Sequence, residues 1–250
     1  MILFKKTTKV SVIILGTLLF TVVVFGYDHL ITHPKLTNGA ITIYNNQTRN
    51  KLTNQQQEWI VEGSIAEDTD PRYLNHYYDP TTGQGLNGGI SAKQWAQVQG
   101  SISGDYSEKA ILENYKQGNY KRAYQGVGHI LHLIQDMSVP AHTRNDSHAM
   151  GDPYEKWVEY NGIVDLSKAS FVQVNNLDNA FDELANYSHY NFFSKDTLIS
   201  DEVLSKITEI KIEKNIKEEN TQYGYFGNYK IVKIKKGTTE YEYFTDDSLV

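Results

Sequence analysis

Three side chains in the run GHILHLIQDMSVPAHTRND, Gly128 to Asp146, have the types and spacing for metal chemistry: His132, Asp136 and His142. His132 and Asp136 are four apart, so on a helix they share a face, one turn from each other. Pro140 ends the helical register, and His142 follows on the turn. The pattern H-x3-D-x5-H sets an imidazole and a carboxylate on a rigid element with a second imidazole beside them. Divalent cations sharing one site need donors arranged in this way. Four of the eight histidines, His129, His132, His142 and His148, fall within twenty residues, with Asp146, Asp152 and Glu155 nearby. A lone histidine has ordinary structural uses. Four of them interleaved with carboxylates point to metal. No G-x-S-x-G elbow offers a serine nucleophile, and H-E-x-x-H is absent.

These residues need a helical frame. The central helix is expected over Tyr120 to Met137, with Tyr124, Val127, Leu131 and Ile134 as its core stripe. His129, His132 and Asp136 then lie on the opposite face, as a solvated surface or a cleft wall. Upstream, Thr32 is expected to cap a helix with Pro34 in its first turn. Thr53 is the expected cap of a helix ending near Ala66, before the acidic cluster Glu67-Asp68-Thr69-Asp70. Pro71 to Pro80 reads as a loop carrying His76 among aromatics, and Thr81 to Gly89 as an exposed loop. Helices follow over Ser91 to Gln99 and Asp105 to Gln117. Another starts near Gly151, with Asp152 as cap and Pro153 in its first position. An aromatic-rich helix spans Leu177 to Phe193, and Lys211 to Glu219 reads as a solvated helical face or linker. Tyr229 to Lys235 and Thr239 to Phe244 alternate apolar and polar residues around Lys236-Gly237, a hairpin signal.

The 250 residues suffice for one sizeable domain with an appendage. The 40% apolar and 22% charged composition is that of a globular protein. A net charge of −6 with no basic stripe weighs against nucleic acid as a partner. With no cysteine, disulfides, thiolate ligands and lipoprotein anchoring are excluded, so a metal must sit on histidine, carboxylate, backbone or water. Lys5, Lys6 and Lys9 precede an apolar run from Val10 to Phe25, the signature of export. Cleavage before Tyr27 and retention as a membrane anchor both fit this segment.

HLIQDMSVPAH resembles the metal-binding helix of the zinc-dependent phospholipases C and the related fungal single-strand nucleases. His132, Asp136 and His142 match its H-x3-D-x5-H without a gap. Asn75-His76-Tyr77-Tyr78-Asp79-Pro80 is similar to the phospholipases' S-H-F-Y-D-P. Tyr154-Glu155-Lys156-Trp157-Val158 resembles their Y-E-x-F-V, and Thr32-His33 sits where the family's first histidine ligand is expected. Asn191-Phe192-Phe193-Ser194 is a weaker echo. The matches fall in the family's order.

The resemblance implies an all-α, multi-helix domain over residues 27–220, after a signal peptide or anchor over 1–26. A small C-terminal β-hairpin is expected within a β-rich segment, 221–250, that reads as an appendage or as truncated. It also implies two or three zinc ions (Zn2+). His76, His132 and Asp136 would hold one together with Asp68, for which Glu67 is the competitor. His33 would share Asp136 with a second, and His142, His148 and Glu155 would hold a third, with Asp152 competing with Glu155. The family's second metal also takes the amino terminus of a mature tryptophan; no tryptophan precedes His33 here, and cleavage after Gly26 would present Tyr27 instead. His129 matches no ligand and is expected behind the ligands or in solvent, and His189 is expected to be structural. Arg144 is expected either at the surface or adding charge near the site.

The implied chemistry is metal-assisted hydrolysis of a phosphoester, with Asp68 orienting or deprotonating the water. Phospholipid or another phosphodiester is the implied substrate, met at a membrane surface outside the cytoplasm. The rivals are a nuclease of the same superfamily, for which nucleic acid is the partner, and a non-catalytic surface-anchored protein on the same scaffold.

Overall fold

A computed structural model of the chain describes residues 30–69, 71–99, 104–147, 152–161, 169 and 176–191, together with four strands between 209 and 244. Among the described residues seven α-helices occupy the first part: α1 Thr32–Gln47, α2 Asn54–Ala66, α3 Ala92–Gln97, α4 Glu108–Lys116, α5 Tyr120–Asp136, α6 Pro153–Asn161 and α7 Leu177–Asn191. Short 3-10 turns at Arg72–Asn75, Leu86–Gly88 and His142–Arg144 lie between them.

Local chemistry explains where most of these helices start. Thr53 and Gln56 form a reciprocal capping box at α2, and Ser91 and Gln94 form another at α3. Ser107 caps α4 by accepting from the Ala110 amide. The Asp152 carboxylate accepts from the amides of Tyr154 (2.8 Å) and Glu155 (3.0 Å) and so opens α6 as expected. Thr32 departs from expectation. The first turn of α1 closes from the Lys35 amide to the Ile31 carbonyl, which makes Thr32 the first helical residue rather than the cap.

The core joins α3, α5 and α7. Ile130, Leu133 and Met137 from α5 and the turn after it pack with Trp95, Ala92 and Ala96 of α3, Phe181 and Ala185 of α7, and Tyr78. Full burial of a side chain such as Leu133 contributes about 1.5–3 kcal/mol. The expected stripe of Tyr124, Val127, Leu131 and Ile134 is only partly buried. The α5 face carrying His129, His132 and Asp136 is buried as well, because α1 and α2 pack against it. A helix covered on several sides has no single apolar stripe to read.

The α2–α5 contact depends on two glycines. A Cβ on Gly128 would lie 2.0 Å from the Ile60 carbonyl oxygen and 2.7 Å from the Ser64 amide nitrogen. One on Gly63 would lie 2.0 Å from the Gln125 carbonyl oxygen. Every neighbour involved is backbone, so a side chain cannot be accommodated by a rotamer change.

The C-terminal strands β1 Glu209–Ile212, β2 Gln222–Phe226, β3 Tyr229–Lys236 and β4 Thr239–Phe244 form one antiparallel sheet in sequential order. The β3–β4 pair, with Lys236 opposite Thr239, is the expected hairpin. The sheet is larger than that hairpin. It begins at Glu209, upstream of residue 221, and takes in Lys211 and Ile212, which the charge pattern had placed on a helical face or linker. Residues 213–221 and the leader, 1–26, lie outside the described residues. Among the described residues no helix is long and apolar enough to cross a membrane.

The Gly128→Ala variant tests the close helix contact. Alanine gains about 1 kcal/mol of helix propensity, but overpacking against immovable backbone costs about 1–3 kcal/mol or more. The variant should therefore melt at a lower temperature than the parent, and calorimetry giving an equal or higher melting temperature would contradict this account.

Candidate metal centre

The donors come from six places in the fold. Asp136 and His132 stand one turn apart on α5, and His33 is the second residue of α1. Asp68 follows α2 by two residues, His76 follows the turn Arg72–Asn75, and His142 opens the turn after α5. Glu155 lies in the first turn of α6. All seven are buried, His33, His132 and Asp136 completely.

Asp136 sits at the middle and uses its two oxygens differently. Its Oδ1 is 3.4 Å from His33 Nε2, while Oδ2 is 3.4 Å from His132 Nε2 and 3.1 Å from His76 Nδ1. Asp68 Oδ1 is 3.5 Å from both His132 Nε2 and His76 Nδ1. His142 Nε2 is 3.4 Å from Glu155 Oε1. Two ligands each 2.0–2.1 Å from one tetrahedral metal lie about 3.3 Å apart, which is the separation found in these pairs. Two overlapping sets, His33 with Asp68 and His132, and His76 with His132 and Asp136, bring their donor atoms close enough to hold an ion each.

The backs of the rings are tied to neutral acceptors. His33 Nδ1–H donates to Gln135 Oε1 (2.7 Å), and Gln135 in turn donates to Thr37. His132 Nδ1–H donates to the Ser64 carbonyl (2.6 Å), and His142 Nδ1–H to the His76 carbonyl (2.9 Å). Each bond fixes the ring with Nε2 turned inward, the arrangement that orients histidine ligands. Among the described residues, His132 Nε2 and both oxygens of Asp68 and of Asp136 make no hydrogen bond. Neither carboxylate has a lysine or arginine within ion-pair distance there. Buried carboxylates facing only imidazoles fit cation ligands better than a self-sufficient polar network, since uncompensated buried charge is costly.

The electrostatics agree. Burial opposes the charge of Asp136, yet His132, His142 and His76 hold its carboxyl well below the usual range. Burial and the adjacent His132 lower His33 to about 3, leaving a neutral ring. Burial also lowers His142, against the pull of Asp136. In His76 the nearby Asp136 and Glu67 outweigh burial and raise it to about 9. His132 is likewise raised, by Asp68 and Asp136. Protons on His76 and His132 therefore compete with any cation for the same carboxylates.

The structure brings His33, Asp68, His76, His132 and Asp136 together and sets His142 beside Glu155. His148 lies outside the described residues. Glu67 and Asp152, the competing carboxylates, are both engaged elsewhere. Glu67 accepts from Arg72 (Nε 2.7 Å), Trp95 Nε1 (2.9 Å) and His129 Nδ1, while Asp152 caps α6. His129 is thus buried behind the ligands, stacked on Tyr106 (ring centroids 3.7 Å) and bound to Glu67. His189 is buried and donates to the Thr143 carbonyl (2.8 Å), which ties α7 to the His142 turn. Arg144 is also buried, donating to the carbonyls of Pro140 (3.2 Å) and His189; burial lowers it to about 9. Tyr77 stacks on His142 (4.6 Å), whereas Tyr78 belongs to the core and donates to Asp182 (2.5 Å). Sequence reading missed Ser64, Gln135 and Arg72. Partners of this kind carry no spacing signal, because they act through contacts between distant segments.

No protein-family profile and no curated protein matches this sequence. Among solved structures the chain is similar to the alpha toxin of Clostridium absonum, with a TM-score of 0.52 and 15% identity over 88% of this chain and 79% of that one. A Clostridium perfringens alpha toxin from an avian strain superposes with a TM-score of 0.45 and 18% identity over 66% and 54%. At this identity the first likeness concerns the fold alone, and the fold is the all-α, multi-helix one that the motifs implied.

Metal uptake should release protons. Isothermal titration of zinc into the chelator-treated chain, run in buffers of different protonation enthalpy, should show proton release and an apparent affinity that rises with pH toward about 9, where His76 loses its proton. An affinity independent of pH would argue that the ion displaces no proton from these histidines.

Proposed function

We propose that this chain is an exported, zinc-dependent phosphoester hydrolase of phospholipase C type, acting on phospholipid head groups outside the cytoplasm. The observation that carries the reading is the set of imidazole and carboxylate donors around Asp136, spaced as ligands of shared metals and, among the described residues, with no lysine or arginine paired to Asp68 or Asp136. The motif resemblance names the metal as zinc, in two or three ions, and the alpha-toxin fold supports the same scaffold. In this reading His76, His132, Asp136 and Asp68 hold one ion, and His33 reaches a second through the other oxygen of Asp136. His142 and Glu155, with His148, hold a third.

Bound zinc would polarise the phosphoryl oxygens and bring a water's pKa toward neutrality. Asp68 is the catalytic carboxylate. Its pKa is held below the ordinary value, against burial, mainly by His132 and then His76 and His33. It is therefore ionised and able to accept a hydrogen bond from a water. Both of its oxygens lack hydrogen bonds, so Oδ2 remains to orient the attacking water while Oδ1 faces the histidines. Glu67 cannot take this part, since Arg72, Trp95 and His129 already occupy its oxygens. Burial of the ring of donors keeps bulk water from competing for the carboxylates.

Parallel assays on phosphatidylcholine vesicles and single-stranded DNA, with and without chelator, test the reading. Chelator-sensitive release of the phosphorylated head group is expected. Cleavage of DNA alone would shift the assignment to a nuclease, and zinc uptake without either activity would indicate a binding scaffold. Asp68→Asn should lower kcat/KM by about 100- to 10,000-fold, the range for a positioned proton acceptor. Asp136→Asn should abolish activity and reduce zinc per chain in atomic absorption; full activity in either variant would remove that residue from the site.

A further inference from the structure

His76 differs from the other inward-facing histidines. His33, His132 and His142 turn Nε2 toward a carboxylate and tie Nδ1 to a neutral acceptor. His76 does the reverse: Nδ1 faces Asp136 and Asp68, and Nε2 faces Glu67 Oε1 at 3.7 Å. Its outward nitrogen therefore meets a carboxylate rather than an amide or carbonyl oxygen. We propose that Glu67, locked by Arg72, Trp95 and His129, is a positioning residue that selects the His76 tautomer with a bare Nδ1 and strengthens it as a metal ligand. The inference rests on the metal reading proposed above.

Three features carry it. First, Glu67 cannot itself swing onto a metal. Arg72 grips Oε2 through Nε (2.7 Å) and Nη2 (2.6 Å), His129 binds the same oxygen, and the Trp95 indole holds Oε1 (2.9 Å). Arg72 is fixed in turn by the carbonyl of Gly104 (3.1 Å) and by Gln99 Oε1 (2.9 Å), with its guanidinium over the rings of Trp95 and Tyr106. Second, a 3.7 Å gap is wider than a hydrogen bond. The carboxylate acts on the ring through its field, which is strong where both groups are fully buried. Asp136 and Asp68 hold a proton on Nδ1 until a cation displaces it; the field of Glu67 would then keep the remaining proton on Nε2 and leave the Nδ1 lone pair to the cation, the role that carboxylates play behind histidine ligands. Third, Glu67 and Arg72 bracket the segment that bears Asp68 and leads into His76. The His76 carbonyl also orients His142, while the Tyr78 amide returns a bond to the His142 carbonyl (3.0 Å). One buried ion pair thus sets Asp68 and His76 directly, and His142 through the His76 backbone.

The test measures zinc affinity of the full chain by competition with a chromophoric chelator, alongside the visible absorption of the Co2+-loaded protein. The variants are E67Q/R72M, which removes the carboxylate without orphaning the guanidinium, and W95F, which removes the indole bond to Oε1 while keeping an aromatic ring in the core and under Arg72. Both should keep the helical circular dichroism signal. E67Q/R72M should bind zinc about 10- to 100-fold more weakly and shift the cobalt bands, with W95F moving in the same direction. Should E67Q/R72M fail to fold, W95F decides. Folded variants with parental affinity and cobalt spectrum would overturn the role of Glu67 while leaving the metal site intact. A parent chain that takes up no zinc would overturn the metal reading and this inference with it.

Discussion

The close crossing of α2 and α5 is the constraint on which the centre depends. Gly63 and Gly128 present only hydrogen where a side chain would meet backbone at 2.0 Å. The two helices can therefore approach until the Ser64 carbonyl receives the His132 imidazole at 2.6 Å. The same approach brings Asp68, just beyond the end of α2, to 3.5 Å from the ring's other nitrogen, Nε2. Moving the helices apart by a methyl group would break both relations. Backbone contact at the crossing and ligand geometry at the centre are one arrangement.

Around that crossing the chain buries two carboxylates, Asp68 and Asp136, that no lysine or arginine among the described residues pairs with. Arginine and lysine go instead to Glu67 and Asp182, carboxylates with structural work: Arg72 locks the segment before His76, and Lys93 ties α3 to α7 at 2.8 Å. Asp68 and Asp136 are left facing imidazoles. Arginine and lysine thus pair with flanking carboxylates, the buried Arg72 with Glu67 and the partly exposed Lys93 with Asp182, and the central ones are left to histidine, an arrangement that could receive positive charge from a metal.

The flanking residues give the centre its precision. Gln135, Ser64 and the His76 backbone each hold the back of one ring. His189 and Arg144 clasp α7 to the His142 turn. Glu155 reaches His142 because Asp152, three residues earlier, opens α6 at the right place. Asp152 and Glu155, rivals by spacing alone, thus divide the tasks of cap and inward-facing carboxylate.

Much of this was written into the sequence by itself. The caps at Thr53 and Asp152 and the β3–β4 alternation are local signals, because cap bonds and strand periodicity involve neighbours in the chain. The i, i+4 relation of His132 and Asp136 is equally local. Only the tertiary structure decided that Asp68, not Glu67, faces His132, and that His129 lies behind the ligands. It alone showed that α5 is covered on its polar face as well as its apolar one, and that the strands extend back to Glu209. The physical reason is the same in each case. Which of two adjacent carboxylates, or of two histidines three apart, turns inward is set by what packs against it, and here the partners lie tens of residues away.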